Sequence, residues 1–267
     1  MEDRIKVELS GGVADVRLVR TDKMNALDDA MFSALVETGE RLKTQKGVRA
    51  VVISGEGRAF CAGLDMGNFG QMASGSRRGG SGNLETPRTP GGANRAQQAV
   101  MAWREIPVPV IAAVHGVAFG GGFQLALGAD LRFVAPDTRM SVMEIKWGLV
   151  PDMAGLVLMR GLLRDDVARE LTFSGRIFSG QEALGLGLAT RVCADPRAEA
   201  LAFAAEVASK NPDAIRAGKR LLDLAIEADQ PTILKAETDE QVKLIGSPNQ
   251  VEAVKANLEK RAPVFTD

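Results

Sequence analysis

Tyrosine is absent from this 267-residue sequence, histidine occurs once, at His115, and cysteine twice, at Cys61 and Cys193. A lone histidine excludes a multi-histidine metal site, and no metal is expected. The two cysteines stand far apart without C-x-x-C spacing, which suggests neither a zinc site nor a disulfide framework. A reducing, cytoplasmic setting is the default. Aromatic residues make up only 4% and are not interleaved with basic ones, so nucleic-acid binding has no support. A net charge of −1 gives no overall attraction to nucleic acid or to an anionic membrane surface. Long apolar runs are missing too. "IPVPVIAAV", Ile106 to Val114, is far short of the roughly 20 residues a spanning helix needs. The amino terminus, "MEDRIKVELSGG", is charged and lacks the apolar core of a signal peptide. A soluble protein without membrane insertion is expected.

Apolar residues at 45% and charged residues at 25% are ordinary for a globular chain of this length, which can bury a substantial core in one domain or one domain with an extension. "RIKVEL" and "VADVRLV", separated by Ser10-Gly11-Gly12, read as a hairpin. Asp28 can cap a helix whose apolar positions Met31, Leu35 and Leu42 recur at helical spacing up to Gly47. "VRAVVIS", Val48 to Ser54, follows as a buried strand. From Gly67 to Gly92, eight of 26 residues are glycine, which predicts a mobile surface loop. This stretch is locally basic, and is either a solvated linker or a flap attracting an anionic ligand. A helix near Ala93 to Glu105 leads to a strand, "VPVIAAV", with Pro107 and Pro109 at its edge. A helix over Gly121 to Ala129 and a strand "LRFVA" complete the alternating part. After Pro151 the pattern is helical, with capping signals over Asp165–Ser174, Asp195–Ser209, Pro212–Ala228 and Val251–Arg261. Residues 1–195 therefore read as an α/β core and 196–267 as a helical region.

Two segments are built to present backbone N–H groups. In "AFCAGLD", Gly63 allows a tight turn; in "FGGGF", the chain enters a helix directly after a strand. Helix starts leave unpaired N–H donors, and two such groups aimed at one point make an oxyanion hole. On the residues alone, a tight turn and close helix packing is the favoured reading. Neither G-x-G-x-x-G, because position 125 is Leu, nor G-x-x-x-x-G-K-[ST] nor G-x-S-x-G is present.

Together, "AFCAGLD" at Ala59 to Asp65 and "HGVAFGGGF" at His115 to Phe123 resemble the crotonase (enoyl-CoA hydratase/isomerase) superfamily. "KMNAL" at Lys23 to Leu27, "EIKWGLVPDMAG" at Glu144 to Gly155 and the "IFSG" stretch from Ile177 follow in family order. The resemblance implies an α/β spiral of ββα turns with a C-terminal helical trimerisation region, as a homotrimer or hexamer. It implies an acyl-CoA thioester as substrate, with coenzyme A entering as part of that substrate and no separate cofactor. The oxyanion donors would be the N–H groups of Leu64 and Gly121. Lys23, Ala26, Ala62, Asp65 and Met66 would lie where relatives hold the CoA adenine and pantetheine.

Hydratases of this family use two glutamates that hold one water. The second matches Glu144, whose apolar sequence neighbours suggest a raised pKa. The first falls at Gln124, whose amide can orient water or a carbonyl but exchanges no proton at neutral pH. Dienoyl-CoA isomerases carry a Glu and an Asp separated as Glu144 and Asp152 are, plus an acid where Gln124 stands. The acids that remain favour a proton shift: Glu144 would take a proton and return it to another carbon, directly or through Asp152. A hydratase of altered efficiency and a non-catalytic acyl-CoA-binding protein remain open. His115 and Cys61 are expected to be structural, Asn25 to satisfy backbone groups, and Trp147 to form a pocket or core wall.

Overall fold

The computed structural model describes residues 3–77, 79, 81, 82, 84, 85 and 87–267. The expected hairpin forms from β1 (Ile5–Ser10) and β2 (Val13–Leu18), paired antiparallel. β2 continues into parallel pairing with β3 (Ala50–Gly55) after helix α1 (Asp29–Thr44), whose N-terminus is capped by Asp28 accepting from Met31 N–H. Short helix α2 (Met66–Ala73) and α3 (Arg95–Arg104) then precede β4 (Val110–Val114), which pairs parallel to β3. β4 is central in its sheet, and Pro107 and Pro109 lie just before it, where neither removes a ladder donor from the strand.

From β4 the chain makes the feature on which the site depends. β5 (Val117–Phe119) leaves the main sheet, and α4 (Gly121–Leu127) returns to it through β6 (Leu131–Val134). β7 (Arg139–Ser141) pairs with β5, a 3-10 turn follows at Glu144–Trp147, and α5 (Gly155–Met159) and α6 (Asp165–Ser174) come next. β8 (Phe178–Ser179), α7 (Gly180–Leu186) and β9 (Arg191–Val192) close the α/β part. The larger sheet has the order β1-β2-β3-β4-β6-β9 and the smaller one β5-β7-β8.

Strands β3 and β4 are buried on both faces, so their alternate residues serve two cores. Val51, Ile53, Val110, Ala112 and Val114 face α1, α3 and α4, whereas Ala50, Val52, Ile111 and Ala113 face α8 (Pro196–Ala208). α8 meets the sheet with Ala200, Ala204 and Ala208, a four-residue spacing of small side chains that lets the helix lie close. The change expected after residue 195 coincides with the start of α8 in the chain, yet α8 is a layer of the core. α9 (Pro212–Ala225), α10 (Gln230–Leu244) and α11 (Pro248–Glu259) extend beyond it. α10, which the sequence pattern does not announce, has no buried residue and hence no apolar stripe to read.

The glycine-rich stretch differs from expectation at its start. Residues 66–73 are helical, because Asp65 caps α2 through Gly67 N–H and Phe69 stacks on Trp147 with ring centroids 4.3 Å apart. Farther on, the Arg95 guanidinium donates to Ser81 O, Asp29 O and Ser33 Oγ, tying this stretch to α1. Positions 78, 80, 83 and 86 of the predicted loop lie outside the described residues. Among the described residues no helix is long and apolar enough to cross a membrane.

Candidate active site

Two backbone turns meet at the centre of the site. The run after β3 pairs with β5: Cys61 N–H donates to Val117 O at 3.1 Å and Phe119 N–H to Cys61 O at 3.2 Å. On its other side the same run pairs with the segment before α1, through Leu27 N–H to Gly63 O at 2.8 Å and Asp65 N–H to Leu27 O at 3.0 Å. Gly63 sits between these pairings at φ +87°, where a Cβ would lie 2.5 Å from Phe119 O and 3.6 Å from Gly121 N. Only a residue without a side chain permits so close a crossing. The crossing brings Leu64 and Gly121 together. Among the described residues neither of their N–H groups donates a hydrogen bond. Two unpaired donors on adjacent rigid turns can receive one carbonyl oxygen.

The acids stand beside this pair. A Cβ on Gly120 would lie 3.2 Å from Glu144 Oε1, so the Glu144 carboxylate packs one residue from Gly121. Glu144 is buried, and of its apolar sequence neighbours Val142 is buried with it and Met143 half-buried. Ile145 and Trp147 are substantially exposed, and Trp147 covers Phe69 as a surface stack rather than lining the core. Burial against the Gly120 turn and Gln124 raises the Glu144 pKa, and the negative charge of Asp152 adds to the rise. Hydrogen bonds from its own backbone and from Gln124 oppose it without cancelling it. Asp152, half-buried, is likewise raised by burial, against a hydrogen bond from its own N–H.

Gln124 makes three side-chain hydrogen bonds. Its Nε2 donates to Glu144 Oε1 at 2.7 Å, and its Oε1 accepts from Met153 N–H and Gly155 N–H, each at 2.9 Å. Gln124 is fully buried. The amide therefore fixes one carboxylate oxygen of Glu144 and, through Met153, the segment that carries Asp152. Gly155 is the counterpart of this clamp: a Cβ there would lie 2.7 Å from Gln124 Oε1. Glu144 Oε2 is sealed from solvent and has no hydrogen-bond partner. It is the one oxygen of the group left for chemistry.

Of the remaining expected residues, Ala62, Asp65 and Met66 lie close to the Gly63 turn in the chain and Lys23 and Ala26 in the segment before α1, with Ala26 buried. Ala62 N–H donates to Met24 O and Ala26 N–H to Lys23 O. Lys23 is exposed, as is Met66 at 64%. Asp65 has both oxygens committed, Oδ1 to Gly67 N–H and Oδ2 to Arg20 at 2.6 Å. Burial alone would raise the Asp65 pKa, but the Gly67 and Arg20 hydrogen bonds prevail and hold it low. Asn25 Nδ2 donates to Ala59 O and Glu56 O, satisfying backbone as expected. His115 Nε2 bonds Gly57 O, away from the acids. The Cys61 thiol is buried, donates to Asn25 O at 3.1 Å, and is pushed up to about 12 by burial. Sequence reasoning misses Arg20, Met153 and Gly155. Of these, only Gly155 leaves a trace, as a glycine inside "PDMAG".

Comparison with known proteins finds a match to the family model described as Enoyl-CoA hydratase/isomerase over residues 8–267. The chain is 32% identical over 254 residues to a Bacillus subtilis (strain 168) protein named "Probable enoyl-CoA hydratase", covering 94% of each. It is 30% identical over 263 residues to the Mus musculus mitochondrial Delta(3,5)-Delta(2,4)-dienoyl-CoA isomerase, covering 93% of this chain and 77% of that one. Among solved structures, the enoyl-CoA hydratase from Bacillus anthracis superposes with a TM-score of 0.86 at 26% identity, covering 98% of both chains.

Proposed function

This chain belongs to the enoyl-CoA hydratase/isomerase family, and from that premise we propose that it shifts a double bond of an enoyl- or dienoyl-CoA. The observation that carries this reading is the amide at position 124, which exchanges no proton at neutral pH and whose oxygen is held by Met153 N–H and Gly155 N–H. A hydratase needs two groups that together hold and activate a water. Here the position of the first is an amide, with one Nε2 hydrogen donated to Glu144 and its oxygen accepting from Met153 N–H and Gly155 N–H. A proton shift needs only one base and a stabilised enolate.

In the proposed reaction the thioester carbonyl accepts from Leu64 N–H and Gly121 N–H. Glu144 Oε2 removes a proton from the carbon made acidic by that polarisation, breaking a C–H bond and leaving a dienolate. The same proton returns to a carbon farther along the conjugated chain, forming a new C–H bond while the double bond moves. No water is consumed. Burial, with a smaller addition from the charge of Asp152, raises the Glu144 pKa and makes it a stronger base once ionised. In a dienoyl substrate Asp152 is the acid nearest in sequence pattern to accept or supply a second proton. Each oxyanion donor of this kind contributes roughly 3–4 kcal/mol to the transition state. We propose the binding of the CoA moiety along Lys23, Ala26, Ala62 and Met66. A homotrimer or hexamer, which sedimentation analysis would test, would cover exposed apolar residues such as Leu222, Val242 and Leu258.

A second reading, hydration by Glu144 acting alone, is favoured by the name of the Bacillus subtilis relative. The deciding experiment incubates the protein with 2-enoyl-, 3-enoyl- and 3,5-dienoyl-CoA in water enriched in oxygen-18. Isomerisation gives a change of diene absorbance and a product without the label. A labelled 3-hydroxyacyl-CoA as main product would replace the isomerase reading by the hydratase one. Acyl-CoA binding without turnover across chain lengths would overturn both.

A further inference from the structure

Arg20 lies outside the acids and outside the N–H pair, yet its guanidinium joins the two chain segments that determine where one of those donors points. Its Nη1 donates to Asp65 Oδ2 at 2.6 Å and to Ala26 O at 2.9 Å, and its Nη2 lies 3.5 Å from Asp28 Oδ2. Asp28 and Asp65 are both helix caps: Asp28 accepts from Met31 N–H at the start of α1, Asp65 from Gly67 N–H at the start of α2. Between the caps the segments pair through the short bridge of Leu27 with Leu64. One guanidinium thus ties both ends of the strap 26–28 to the turn 63–65. We propose that Arg20 is a positioning residue of the oxyanion hole, setting the direction of the Leu64 N–H by holding the Asp28 and Asp65 caps at a fixed separation. The inference rests on the reading of Leu64 as a carbonyl donor.

Three features support a directed role over general stabilisation. The Arg20 side chain is 15% exposed, so the geometry of its fork is little disturbed by water. Without it, two carboxylates would face one another across the bridge, with Asp28 already acting on Asp65 by charge. Repulsion would open the strap at the residue next to Leu64. Lysine cannot replace the arrangement, because an ammonium is a point charge and lacks the planar fork that reaches two carboxylates and a carbonyl together. Arg4 provides an internal contrast. It grips Asp28 from the far side, Nη2 to Oδ2 at 2.8 Å, but does not reach the 61–65 turn. Its loss weakens the same helix cap without freeing Leu64.

The test uses cinnamoyl-CoA, whose conjugated thioester absorbs farther to the red when its carbonyl is polarised by hydrogen bonds. The parent protein should show this shift on binding; if it binds without a shift, the oxyanion assignment itself fails, independently of Arg20. Given the parental shift, Arg20→Lys should lose most of it and drop kcat by roughly ten- to a hundredfold, with KM changed far less. Arg4→Met should melt at a lower temperature while keeping the shift and kcat. If Arg20→Lys does not fold, Asp65→Asn decides. An asparagine still accepts from Gly67 N–H but loses the ion pair, so the shift should diminish with α2 intact. A parental shift in Arg20→Lys, or in Asp65→Asn where that variant decides, overturns the inference. So does an equal loss of shift in Arg4→Met.

Discussion

Replacing Gln124 by methionine would preserve its length and remove both halves of its clamp. The donor half is the 2.7 Å hydrogen bond to Glu144 Oε1. A hydrogen bond to a charged group contributes about 1.5–3 kcal/mol. At about 1.4 kcal/mol per pKa unit, its loss corresponds to a further rise of about 1–2 units in a Glu144 pKa that burial and Asp152 already hold up. The base works only when ionised, so the acid limb of the kcat–pH profile should move to higher pH by that amount. The acceptor half serves Met153 N–H and Gly155 N–H. Leaving both buried and unpaired costs about 1–3 kcal/mol each, a large share of a typical domain stability of about 5–15 kcal/mol. A companion variant, Gln124→Glu, separates the halves. Its carboxylate still accepts from both N–H groups, so the melting temperature should fall less. It also faces Glu144 with a like charge, which pushes the acid limb higher still and offers the second acid a hydratase requires. The assay is isomerase activity across the pH range together with thermal melts. If Gln124→Met melts lower but its acid limb coincides with that of the parent, the amide is a packing element. The electrostatic part of the reasoning is then wrong.

Glu144→Gln should reduce turnover by at least about 10²-fold and at the same time raise the melting temperature at neutral pH. Because the folded pKa of Glu144 is raised, its contribution to stability is fully present below the ordinary carboxylate value. It is lost as pH rises through the folded pKa. A neutral amide removes that loss, and a lower melt at neutral pH would contradict the sign. Gly155→Ala should act on the clamp from the other side. A Cβ 2.7–2.9 Å from the Gln124 amide atoms would displace them, lowering the melt and moving the acid limb in the same direction as Gln124→Met. An unmoved limb with parental stability would show that the segment yields without consequence.

The glycine turn at 63 and the glycines that open α4 are legible in the sequence because close crossings demand residues without side chains. The alternation of buried strands and capped helices is legible from local chemistry, as Asp28 and the hairpin at Gly11-Gly12 illustrate. α2 is hidden because Gly67 and Gly70 depress helix propensity. The compensating terms, the Asp65 cap and the Phe69–Trp147 stack, come from packing between segments far apart in sequence. The partners of Gln124 are hidden for a related reason. An amide has two donors and an acceptor, and which backbone groups meet them depends on where the 153–155 segment arrives, with Ala154 in a left-handed conformation at φ +67°. Arg20 leaves no periodic trace at all, since the reach of its guanidinium is a tertiary quantity.

The burial of Cys61 has a consequence for the compatibility of protein and substrate. A conjugated enoyl thioester is a Michael acceptor, and a thiolate within the oxyanion turn would add to it and alkylate the enzyme. With its thiol pushed up to about 12 by burial, Cys61 stays protonated at neutral pH. The S–H is turned toward Asn25 O, inside the protein. Under the proposed function, the turn would hold a soft nucleophile two residues before Gly63 beside an electrophilic substrate without the two reacting.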